Sequence, residues 1–181
     1  SHTGFTMPNV PQIDSLSASI QLNQHTVVIE KFKGTIAKSS TSGSVRINKW
    51  LGHTLNSNGP IEVLGKFRIQ NFDSKNWISN SPESEKQEVK FLRNFYFQGQ
   101  VEIDDLVHKK SHLENFRADI TYVALKLHVV NSSFNSFEGE LKLDLVMEQK
   151  PNEIKYGLQL MTKNVNVQTL LGTYNNFGQT A

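Results

Sequence analysis

From Phe91 to Val107 most apolar side chains fall at odd positions: Phe91, Phe95, Phe97, Val101, Ile103 and Val107. The even positions Asn94, Gln98, Gln100, Glu102 and Asp104 are polar. Period-two alternation places one set on one face of an extended chain and excludes a helix there. The pattern recurs at Ala18, Ile20, Leu22; at Leu125, Leu127, Val129; at Leu141, Leu143, Leu145, Met147; and at Tyr156, Leu158, Leu160. With the segments 26–30, 43–47, 61–69 and 117–122 this predicts about ten strands, each with one apolar face.

Turn residues punctuate them. Asn23-Gln24-His25 reads as a tight polar turn, Lys150-Pro151-Asn152-Glu153 as a hairpin, and the stretch 56–60 as a loop. The polar stretch 73–88, with Ser81-Pro82, is expected to be a mobile excursion. Near the end, Leu170, Leu171, Tyr174 and Phe177 have helical spacing and predict a short helix, weakened by Gly172.

Composition bounds the class. The 181 residues carry a net charge of +2, with 37% hydrophobic and 20% charged residues. This fits one folded module rather than a disordered chain. Basic residues are scattered, so no nucleic-acid partner is expected. Without cysteine there is no disulfide and no thiolate chemistry. No run of about 18 apolar residues predicts a membrane-spanning helix. The opening Ser1-His2-Thr3 lacks an initiator Met and suggests an excised fragment of a larger protein.

The chain also resembles itself at an offset of one hundred. The segment 13–20, IDSLSASI, aligns with 113–120, LENFRADI, and each leads into a second apolar strand at 26–29 and 126–129. A repeat over roughly 13–47 and 113–147 follows, with a small length difference expected before the third strand. A second similarity joins Gly65–Phe72 to Gly99–Leu106. Repeated strand units predict an elongated sheet built from similar pieces.

Three stretches resemble the C-terminal repeat region of the AsmA family of Gram-negative envelope proteins. They are Leu125 to Gly139, LKLHVVNSSFNSFEG; Lys163 to Leu171, KNVNVQTLL, which is similar to a D-V-D-L-x-x-L-L step with Asn for Asp; and Gly99 to Asn115. The match covers most of 13–178 and departs at Val123-Ala124, where a polar turn is usual. The resemblance implies a periplasmic location, an inner-membrane anchor outside this sequence, and a role in outer-membrane biogenesis and lipid transport. It also implies neighbouring modules of the same polypeptide as partners.

Sites of chemistry are sparse. His108 and His112 are four apart, the spacing of a metal pair on a helix, but the surroundings are not helical and offer no third ligand. Asp104 and Asp105 are adjacent, so in a strand they point to opposite faces and make a poor acid/base pair. No phosphate-binding, nucleotide-binding or serine-nucleophile motif occurs. No catalysis, cofactor or metal is expected. The phenylalanines, with Trp50 and Trp77, either pack the core or form a carbohydrate platform.

The fold expected is mainly β: an elongated, curved antiparallel sheet forming a groove or half-barrel, with a short C-terminal helix. The expected function is non-enzymatic binding of lipid acyl chains. The groove lining is expected to be Ile20, Leu22, Val27, Ile29, Leu125, Leu127, Val129, Leu141, Leu143, Leu145, Tyr156, Leu158 and Leu160. The alternative is a β-sandwich that recognises carbohydrate or protein.

Overall fold

A computed structural model describes residues 13–55, 59–77, 94–150 and 153–173. Among them nine strands form one open sheet in chain order: β1 (Ile13–Leu22), β2 (Thr26–Ile36), β3 (Ser39–Asn48), β4 (Ile61–Asp73), β5 (Phe95–His108), β6 (Ser111–Val123), β7 (Lys126–Ser136), β8 (Gly139–Lys150) and β9 (Glu153–Lys163). Three short helices, α1 (Trp50–Leu55), α2 (Ser74–Trp77) and α3 (Val167–Thr173), attach at strand ends. The described residues hold nine strands where about ten were expected of the chain, and their sheet does not close into a barrel. Phe91, most of the polar excursion, Pro151-Asn152, Tyr174 and Phe177 lie outside the described residues.

All neighbours pair antiparallel except β4 and β5, which run parallel with Ile61 opposite Phe95 and Ile69 opposite Ile103. The expectation of a wholly antiparallel sheet is thereby corrected. A parallel neighbour requires the chain to return the length of the strand before pairing, which a tight turn cannot do. The similarity between Gly65–Phe72 and Gly99–Leu106 is this pairing seen from the sequence. Gly65 lies opposite Gly99, Phe67 opposite Val101, and Ile69 opposite Ile103.

The similarity at an offset of one hundred has a geometric counterpart. Ile20 pairs with Ile29 and Leu22 with Val27; Ile120 pairs with Val129 and Tyr122 with Leu127. Both second strands are bulged at one place, between Ile29 and Phe32 and between Val129 and Ser132. Both then reverse at two left-handed residues, Ala37-Lys38 (φ 49° and 65°) and Phe137-Glu138 (φ 51° and 64°). The third strands keep the same offset, Phe32 opposite Gly43 and Ser132 opposite Leu143. The length difference expected before the third strand is absent.

The units part company after that strand. β3 reaches β4 through α1 and a loop, whereas Lys150 pairs directly with Glu153 across a two-residue connection.

Turn chemistry accounts for the remaining reversals. Asn23 Oδ1 accepts from the backbone N–H groups of His25 and Thr26, at 2.9 and 2.8 Å. Trp50 Nε1 donates to the Asn23 carbonyl at 2.8 Å, tying α1 to that turn. At the equivalent place Ala124 and Leu125 themselves adopt left-handed φ, 47° and 66°. The hairpin thus forms without the polar residues that such a turn favours.

Asn166 caps α3: its Oδ1 accepts from Gln168 N and Thr169 N. Asn166 Nδ2 and Thr169 Oγ1 donate to the Glu138 carboxylate, holding α3 against the β7–β8 turn.

Candidate functional site: an apolar sheet face

Residues opposite one another in a sheet share a face, and alternate residues along a strand share it too. Tracing both relations from β1 to β9 collects most of the large apolar side chains on one side. They include Leu16, Ile20 and Leu22 on β1; Val27, Ile29 and Phe32 on β2; Val45 and Ile47 on β3; Val63, Phe67 and Ile69 on β4. The row continues through Phe97, Val101 and Ile103 on β5, Phe116, Ile120 and Tyr122 on β6, and Leu127, Val129 and Phe134 on β7. It ends at Leu141, Leu143, Leu145 and Met147 on β8 and Tyr156, Leu158 and Leu160 on β9. The bulges in β2 and β7 keep this phase, because each occurs where the alternation would otherwise slip.

Twelve of the thirteen side chains expected to line a groove lie on this face. Leu125 does not: it belongs to the β6–β7 turn, where its left-handed backbone removes it from the strand alternation. The expected residues form two patches, β1–β2 and β7–β9. The bridge across β3 to β6 was missed, although its signal is plain in the odd positions of 61–69 and 95–107.

No second layer covers this face among the described residues, since all nine strands belong to one sheet and the helices sit at its ends. Its middle is half-buried by its own side chains. Only Ile69, Ile103, Ala118, Val129, Phe134 and Leu141 are buried apolar residues of this face. Phe67 packs against both Phe32 and Phe97, with ring centroids 6.0 and 5.9 Å apart. These rings lie over glycines. A Cβ on Gly99 would meet Phe97 Cζ at 2.9 Å and collide with the Gly65 carbonyl oxygen, so only glycine permits this approach. Towards both edges the face opens: Ile20 is 60% exposed, Leu158 61% and Tyr156 78%. The phenylalanines thus pave the apolar face. Tyr122, beside Phe95, has its phenol pushed up by burial.

The opposite face is mostly polar, with Val28, Leu64, Val130 and Val146 among its apolar residues. A depression of about 800 Å³ crosses it from β2 to β7, lined by Arg46, Leu64, Lys66, Gln98, Gln100 and Asp119 among others. Asn131 and Gln100 donate to the Asp119 carboxylate at 2.9 and 3.1 Å, and these hydrogen bonds hold its pKa below the ordinary value. Saturated by amides, the group is poorly suited to act as a base.

Asp104 and Asp105 diverge, as adjacent strand residues must: Asp104 pairs with Arg68 at 3.1 Å and Asp105 with His112. They stand within β5. His108 and His112 lie on different strands, and His108 Nδ1 is 2.8 Å from Ser74 Oγ. The helical spacing that a metal pair would need is not realised.

No family model, curated protein or solved structure matches this chain.

Proposed function

We propose that the chain binds lipid acyl chains along its apolar sheet face without catalysing a reaction. The observation that carries this reading is the apolar row running unbroken from β1 to β9 with no second layer over it among the described residues. Exposed contiguous apolar surface of this extent is unfavourable in water and marks a binding surface. Nine strands about 4.8 Å apart give a strip of roughly 40 Å. A long, flexible, purely apolar ligand matches such a strip better than a compact polar one does.

Contact is distributed, so the loss of any one apolar side chain weakens binding little, whereas a charge set into the row disrupts it. Among the described residues no second sheet of the kind the β-sandwich alternative needs is present. In keeping with the resemblance to AsmA proteins, we place this activity in phospholipid transport across the bacterial envelope. There the module would sit in the periplasm beside similar modules of an inner-membrane-anchored protein.

Native mass spectrometry of the purified chain should reveal co-purified lipid. Leu143→Asp provides the sharper test. Leu143 is half-buried on an open face, so its carboxylate can reach water and the fold survives, whereas a closed core would not tolerate it. The expected result is a cooperative melt with weakened binding of a fluorescent fatty acid. A folded variant that binds like the parent chain would remove the apolar face as the site.

A further inference from the structure

The two edges of the sheet differ in how they are protected. β1 pairs with β2 through two register shifts, one of which places an extra residue, Asp14, in β1 itself. β9 pairs with β8 over its whole length with no shift, from Lys150 opposite Glu153 to Glu140 opposite Lys163. It contains no proline, and all eleven of its residues are exposed. The capping contacts of α3 turn it towards Glu138 and away from this edge. A long, flat, alternating edge strand presents a row of unpaired backbone groups that templates another strand.

From this we infer that β9 pairs antiparallel with β9 of a second copy, forming a two-fold dimer with one continuous eighteen-stranded sheet. The sequence of β9, EIKYGLQLMTK, is complementary to itself when reversed about Leu158. Glu153 then faces Lys163 of the other copy at both ends, Tyr156 faces Leu160, and Leu158 faces itself. This register uses every residue of the strand. A two-fold axis normal to the sheet leaves both apolar faces on the same side. The exposed row of Ile154, Tyr156, Leu158 and Leu160 gains apolar cross-strand neighbours, and the apolar strip doubles in width. The inference stands apart from lipid binding: a dimer of this kind forms whether or not the face holds a ligand.

The test uses the whole chain at low salt. Sedimentation of the parent chain across a concentration series should show a monomer–dimer equilibrium. Leu158→Lys, which sets like charges against each other on the axis, should leave a folded monomer. Ile20→Lys, on the other edge, should leave the dimer intact. Lys163→Glu and Glu153→Lys should each weaken self-association about tenfold, since two exposed ion pairs become repulsive. Mixed together, these two variants should form the heterodimer in native mass spectrometry, because both end pairs are then restored. A chain that stays monomeric at every concentration would overturn the inference. So would a dimer that survives Leu158→Lys, or charge variants that show no preference for each other.

Discussion

The two units β1–β3 and β6–β8 share most of their register, the bulge in the second strand and the left-handed turn after it, yet one is half-exposed and the other packed. Ala118 is 6% exposed, whereas Ala18, its counterpart a hundred residues earlier, is exposed. Val129 is buried and Ile29 only half so. The backbone of each pair is alike, and what differs is the neighbour. β6 lies between β5 and β7, while no strand among the described residues pairs with the outer side of β1. Local sequence sets the conformation of a strand, and its position in the sheet sets what each side chain contributes to stability.

The largest expected break in the comparison is Ala118→Asp against Ala18→Asp. A buried, unpaired carboxylate at 118 should cost about 3 kcal/mol or more, while the same change at 18 should cost less than about 1 kcal/mol. Urea denaturation measures both. Equal effects would mean that β1 is covered in solution.

The turns give a smaller contrast of opposite sign. Lys38 and Glu138 hold equivalent left-handed positions, where a side chain is unfavourable and glycine is not. Lys38→Gly should therefore stabilise by roughly 0.5–1 kcal/mol in the same assay. Glu138→Gly relieves the same backbone but loses the hydrogen bonds from Asn166 and Thr169, so its net effect should be near zero.

The smallest effect concerns pH. Asp119 has a pKa lowered by its bonds to Asn131 and Gln100, while the first unit has Ser19 at that place. A depressed folded pKa adds stability above the unfolded value of about 3.9, lost as pH falls through the folded pKa. The melting temperature of the parent chain should therefore decline with acid slightly more steeply than that of Asn131→Ala. Parallel profiles would show that the hydrogen bond contributes nothing measurable.

Much of this arrangement can be read from residue types alone. Alternation is a property of the extended backbone, so Leu141, Leu143 and Leu145 share a face wherever β8 goes. Asn23 makes its own turn, Asn166 caps its own helix, and the offset of one hundred appears in the letters before it appears in the register. Other features depend on partners distant in the chain. Gly65 and Gly99 look alike in sequence, but only the sheet sets them side by side in parallel, because strand direction depends on the path between them. Leu125 keeps the alternation in sequence and leaves it in space, since closing the β6–β7 hairpin requires a left-handed residue there. Whether a second layer covers the apolar face is likewise not encoded in period two: that depends on where the other strands go, and all nine stay in one sheet.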